Sequence, residues 1–225
     1  MKDQGRSILK NLLDGISAGI LISIGGAVFL AMLGLNKYVG AILFSVALLC
    51  ICYKGYNLFT GKVGFMVEKH DKDAILTLFL GLAGNIIGTL VCGVVLSYAI
   101  PDLYTAAVTV CDAKVAQIWW QTLVRGLFCG VLMYLAVSIF KENKTALGIL
   151  FCIPVFILSG FEHSIADMAY FATARVFTGE SVLFLVMVVI GNAVGAMILP
   201  ALSLITKRKT TDPSPTEEKD GTENG

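Results

Sequence analysis

Charge is scarce in this sequence. Asp, Glu, Lys and Arg together make up 15% of 225 residues, and only two histidines occur. A soluble domain needs a charged exterior, so this scarcity, together with 56% hydrophobic residues and a mean hydropathy of +0.81, excludes a soluble globule. It indicates a chain that crosses a membrane several times. The formal net charge of +1 offers no bulk attraction for nucleic acid. Six cysteines are present, but they lack the spacing of a zinc site and sit mostly in apolar runs, where they read as small packing residues. No metal and no cofactor is expected. A signal-peptide cleavage pattern is also missing, so the first apolar run is expected to remain as a helix.

What the sequence does contain is six apolar runs, at 12–35, 38–66, 74–100, 115–140, 146–172 and 181–206. Each is long enough to cross about 30 Å of hydrocarbon. The expected fold is therefore all-α, a polytopic membrane domain of six transmembrane helices over residues 1–209. A polar segment, 210–225, is expected to be a disordered cytoplasmic tail. On a six-span reading ten Lys and Arg residues fall on one side, among them Arg6, Lys69, Lys141 and the run Lys207-Arg208-Lys209. Only Lys37, Lys114 and Arg175 fall on the other, so both termini are expected to be cytoplasmic, in a prokaryotic cell membrane.

Two of the runs interrupt themselves. The second contains Lys54, Gly55, Asn57, Thr60, Gly61 and Lys62; the fifth contains Gly160, Glu162, His163 and, just beyond, Asp167. Ionisable groups within hydrocarbon are expensive and normally face a protein interior or a water-filled path. A helix break at membrane depth is tolerated only where the freed backbone lines a cavity. The two halves of the chain also echo each other. Gly15 to Gly19 in the first run resembles Gly126 to Gly130 in the fourth, and Gly84-Asn85 to Gly88 in the third resembles Gly191-Asn192 to Gly195 in the sixth. Three spans followed by three more give an inverted 3+3 repeat, an architecture that sets its site where two broken helices meet. On this alignment Leu58-Phe59-Thr60 is the counterpart of Phe161-Glu162-His163, Thr60 and His163 face one another, and the half-helix N-termini suit an anion. Asn85 and Asn192 are assigned structural support.

The segments Leu58-Phe59-Thr60-Gly61 and Gly160-Phe161-Glu162-His163-Ser164-Ile165-Ala166-Asp167-Met168, in this order, closely resemble the two loop motifs of the formate/nitrite transporter family. The resemblance covers residues 5–207. It implies an aquaporin-like protomer with broken helices 2 and 5, a homopentamer, and a pore through each protomer. It further implies His163 as the central histidine, Thr60 as its partner, Leu58 as the cytoplasmic-side constriction, and Phe44, Leu48 and Phe156 as the outer one. Lys114 matches a vestibule lysine that attracts anions, and Glu162 the acid beside the histidine. Glu162 and Asp167 are expected to anchor the broken helix, or to pair with Lys54, Lys62 or Arg125. Two departures stand out: Gly130 occupies a pore position where asparagine is frequent, and Asp167 likewise replaces an asparagine.

The function this implies is passage of a small monovalent weak-acid anion (formate, nitrite or hydrosulfide, formate first), passive or proton-coupled through His163. Its partners are that anion, protons and the lipid bilayer. A competing class is an aquaporin-like facilitator of small neutral solutes, but the paired Asn-Pro-Ala motifs it requires are absent. An intramembrane hydrolase would use His163 with Ser159 or Ser164. Such close neighbours on one backbone rarely align as base and nucleophile, so no enzyme is expected.

Overall fold

The computed structural model describes residues 2–211, and among them the chain forms nine α-helices and one 3-10 turn. They are α1 (Lys2–Met32), α2 (Lys37–Lys54), α3 (Phe59–Lys62), a 3-10 turn (Val63–Val67), α4 (Lys72–Ala99), α5 (Pro101–Val115), α6 (Trp119–Asn143), α7 (Leu147–Leu158), α8 (Ser164–Ala174) and α9 (Gly179–Thr211). Five of these, α1, α2, α4, α6 and α9, are long and apolar enough to cross a membrane. The segment expected as a tail begins within α9; residues 212–225 lie outside the described ones.

Local chemistry sets the ends of these helices. Asn36 caps α2, its side chain accepting from the backbone N–H of Tyr38 and Val39, and Gly55 closes the helix at φ 71°, a left-handed conformation open to glycine at low cost. Asp71 caps α4 through the N–H of Ala74 at 2.8 Å. The second and fifth runs divide as the interruptions suggest. After Gly55 the chain restarts at Phe59 as one short turn of α3, and after α7 it turns at Gly160 (φ 70°) to restart at Ser164. At 12 residues α7 is about 18 Å long, too short to cross alone.

The segment between the third and fourth apolar runs is helical, although its sequence does not read as a span. It is a fifteen-residue helix, α5, with Pro101 in its first turn, Asp102 near its N-terminus and Lys114 in its last turn. Leu103, Ala107 and Cys111, spaced by four, form its buried stripe, and it packs chiefly on α8. The stripe was legible, but the helix is too polar to register as a span.

Glycine lets the long helices approach closely at two equivalent crossings, α1 on α4 and α6 on α9. A Cβ at Gly19 would lie 2.6 Å from the carbonyl oxygen of Asn85, inside contact distance. The same holds at Gly130, where a Cβ would strike the carbonyl of Asn192. Gly130 therefore faces the backbone of α9. Its expected place in the pore is not where the fold puts it, because the close α6–α9 crossing turns that face of α6 into a helix contact.

Candidate functional site

Each helix break is held by a buried asparagine from a neighbouring long helix. Asn85 on α4 accepts from the N–H of Phe59 (2.9 Å) and donates to the carbonyls of Gly15 (2.9 Å) and Asn57 (2.8 Å). Asn192 on α9 accepts from the N–H of Ser164 (2.9 Å) and donates to the carbonyls of Gly126 and Glu162, both at 2.8 Å. The bonding is the same in both halves: first residue of the restarting helix, last-but-one residue of the break, and the glycine of the facing helix. Both asparagines are fully buried. This pattern corrects the register read from the sequence: Leu58, not Thr60, is the positional counterpart of His163. It also means that the first amides of the half-helices are already occupied rather than free for an anion.

The breaks meet at one hydrogen bond. Thr60 Oγ1 lies 2.8 Å from Nε2 of His163, with both side chains buried. His163 is also the N-cap of α8, its Nδ1 accepting from the N–H of Ala166 at 3.0 Å. That cap bond fixes the tautomer of the neutral ring. Nδ1 is the acceptor, so the proton sits on Nε2 and donates to Thr60 Oγ1. The hydroxyl proton of Thr60 is thereby free to donate elsewhere.

Aromatic rings close over this pair. Phe156 stacks on the His163 ring, centroids 5.6 Å apart, and Phe44 meets Phe156 edge-on at 6.3 Å. Two cavities border this cluster and share no lining residue. One, about 450 Å³, is lined by Phe156, His163, Lys114, Arg125, Glu162 and Asp167 among others. The second, about 230 Å³, is lined by Leu48, Leu58, Gly61, Val137 and Lys62 among others. Phe44 and Thr60 line neither; Phe44 touches Phe156 and stands one turn from Leu48, while Thr60 joins His163 to the turn that carries Leu58.

The charges of the larger cavity are arranged differently from the sequence reading. Lys114 pairs with both acids, Glu162 at one oxygen and Asp167 at 2.8 Å. Gln117 completes the set, donating to Glu162 at 2.6 Å. The acids thus do not pair with Lys54, Lys62 or Arg125. Helix α5, absent from the sequence reading, carries Lys114 down onto α8 and makes it the nearer cation. Lys114 lines the cavity, but its ammonium is committed to two carboxylates and lies 5.7 Å from the Tyr170 ring centre. The cation left available is Arg125, which sequence reasoning treated only as a charge in need of a partner. It lines the same cavity, half-buried, with no carboxylate within 4 Å among the described residues. Its position directly before Gly126, which sets α6 against α9, was the available signal.

On the other side Lys62 donates to Asn57 Oδ1, and Asn57 in turn donates to the carbonyl and side chain of Asn11, each at 3.1 Å. Lys141 sits 3.4 Å above the ring centre of Phe65.

The sequence matches the family described as Formate/nitrite transporter over residues 1–206. A relative from Bacillus subtilis, the uncharacterized transporter YwcJ, is 28% identical over 181 residues, covering 74% of this chain and 71% of its own. The formate channel FocA of Escherichia coli K12 is also 28% identical, over 71% of this chain and 64% of its own length. A formate-nitrite transporter of Entamoeba histolytica is 25% identical over 88% of this chain and 64% of its own. The chain therefore spans about two thirds of the length of these relatives. Among solved structures, a pentameric formate channel with formate bound superposes with a TM-score of 0.78 at 23% identity, covering 91% of this chain and 98% of that one. An ion channel of the FNT family superposes with a TM-score of 0.71 at 19% identity, covering 92% and 91%. At these identities the structural likeness is one of fold.

Proposed function

The chain belongs to the formate/nitrite transporter family, a family of membrane transporters rather than enzymes, and from that premise we propose that it passes small monovalent weak-acid anions across a cell membrane. Formate is the first candidate; nitrite and hydrosulfide share its size, charge and acidity. The observation that carries this reading is the Thr60–His163 hydrogen bond at the meeting of two helix breaks, covered by Phe44 and Phe156 and bordered by two cavities.

The physical argument is an asymmetry of cost. A bare anion loses several kcal/mol or more on leaving water for an apolar neck, whereas its neutral conjugate acid loses far less. Arg125 raises the local anion concentration in the larger cavity. His163, donating through Nε2, turns the Thr60 hydroxyl proton toward the arriving species and replaces part of its lost hydration. A neutral or fully hydrogen-bonded species then passes Phe156, Phe44, Leu48 and Leu58 into the second cavity. In this scheme His163 and Thr60 are the pore pair, and flux is passive or coupled to a proton handed to the anion beside them. Lys114, Glu162 and Asp167 shape the cavity wall, and Asn85 and Asn192 support the breaks.

The matched Asn85 and Asn192 bonding supports six crossings arranged as two oppositely oriented halves. The positive charges near both termini favour a cytoplasmic N- and C-terminus in a prokaryotic membrane. A pentameric relative in fold supports a homopentamer with a separate pore in each subunit. Proteoliposome flux of formate, nitrite, hydrosulfide and glycerol across an external pH series tests the proposal. Anion uptake that His163→Ala abolishes is the expected result. Uptake of glycerol with no anion flux would assign the chain to neutral-solute facilitation instead.

A further inference from the structure

Four charged groups line the larger cavity, and one of its two carboxylates is incompletely satisfied. Lys114 and Arg125 bring two positive charges, Glu162 and Asp167 two negative ones. Glu162 uses both carboxylate oxygens, one on Lys114 and one on Gln117. Asp167 uses only Oδ1, on Lys114; its Oδ2 has no protein hydrogen-bond partner, although the residue is 1% exposed. A buried carboxylate oxygen without a partner carries the full cost of its lost hydration. One proton on Oδ2 removes that charge and gives Asp167, a residue of the cavity lining, a hydrogen-bond donor. Asp167 stands one helical turn beyond His163, its N–H bonded to the His163 carbonyl at 2.9 Å, so it borders the same entrance to the neck.

Resting on the anion-transport reading above, we propose that Asp167 is the residue that protonates the permeating anion. His163 is poorly placed for that task. Its single proton on Nε2 is already given to Thr60, and a second on Nδ1 would break the cap of α8. With Oδ2 protonated, the four groups sum to one positive charge and the cavity draws an anion in. The O–H bond of Asp167 then breaks as an O–H bond forms on the anion (for hydrosulfide, an S–H bond), the electron pair staying on Oδ2. The products are a neutral acid at the mouth of the neck and a carboxylate held by Lys114, in a cavity whose four groups again sum to zero. Water entering from the open side restores the proton. The titratable groups facing Asp167 are Lys114 and Cys111 from α5, Glu162 and His163 from the turn before α8, Tyr170 from α8, and Cys129 and Arg125 from α6; α1 and α9 present the rings of Phe29 and Phe184 to this cluster.

The test uses the full chain in proteoliposomes, with labelled formate and a trapped pH indicator reading anion and proton entry together. The wild type is expected to take in a proton with each formate, at a rate indifferent to an imposed membrane potential. Asp167→Asn keeps an oxygen for Lys114 and is expected to assemble normally while losing about a hundredfold or more of the flux. Unchanged formate flux with unchanged proton entry in this variant overturns the assignment. If Asp167→Asn fails to fold, infrared difference spectra of the wild type decide. A protonated-carboxyl band that persists in Glu162→Gln and is lost on formate addition supports Asp167, and its absence refutes it. A wild type that moves no anion at any pH defeats the transport reading, while the infrared band, followed with pH, still decides whether Asp167 holds a proton.

Discussion

Thr60→Val is the sharpest perturbation of the neck, because it keeps the shape of the side chain and removes only the hydroxyl. Two consequences follow from the geometry. The 2.8 Å bond to His163 Nε2 is lost between two buried side chains, leaving a buried N–H unpaired at a cost of about 1–3 kcal/mol in stability. The donor aimed at the permeating species is lost as well. A hydrogen bond to a charged group contributes about 1.5–3 kcal/mol, and each 1.4 kcal/mol is a factor of ten. Formate flux in proteoliposomes should therefore fall by about ten- to a hundredfold. Thr60→Ser, which restores the hydroxyl, should recover most of it. The stability loss and the flux loss are read separately, by thermal unfolding in detergent and by initial rates at matched protein density. Flux within about twofold of wild type in Thr60→Val, a difference of under half a kcal/mol, would refute the role given to this hydroxyl, since the hydrogen-bond argument allows no smaller effect.

Other outcomes are expected elsewhere. Asn85→Ala and Asn192→Ala each strand two buried backbone groups of a helix break and should each cost at least about 2 kcal/mol, by similar amounts, whereas Asn36→Ala, an exposed helix cap, should cost about 1 kcal/mol; denaturation series of the three variants compare them directly. Arg125→Gln should lower anion uptake by about tenfold at low salt and progressively less as salt rises, read from initial rates at several ionic strengths. Lys114→Gln should instead reduce folded protein, because it leaves Glu162 and Asp167 buried without their cation, at a cost of about 3–5 kcal/mol, read from the yield of folded protein and its unfolding temperature. Gly130→Ala should destabilise the α6–α9 crossing by about 1–3 kcal/mol, with the surviving protein unchanged in its selectivity among formate, nitrite and hydrosulfide.

Much of the site was legible along the chain because its residues fall in two short segments. Leu58 to Thr60 and Gly160 to Asp167 are conspicuous where hydrocarbon disfavours polar groups, and the glycine and asparagine echoes pointed to two similar halves. The register between the halves was not legible. Matching by residue type set Thr60 against His163, whereas the backbone bonds of Asn85 and Asn192 set Leu58 there, because what repeats is hydrogen bonding and not side-chain identity. Gly130 misled for a related reason: a glycine looks the same in sequence whether it opens a pore or lets a helix approach, and only the carbonyl of Asn192 beside it decides.

The sequence by itself determined that this chain is a multi-pass membrane protein and that two of its apolar runs break around Thr60 and His163. These follow from transfer free energies and backbone hydrogen bonding, which act locally on whatever residues are present. The tertiary structure alone decided which charges are paired and which stay free. Lys114 is separated from Glu162 by 48 residues, and they meet only because α5 folds back onto α8. That contact commits Lys114 to the acids, leaves Arg125 as the available cation, and leaves one oxygen of Asp167 without a partner. Electrostatic roles in a buried site depend on distances of a few ångströms between distant segments, and no local pattern in the sequence encodes those distances.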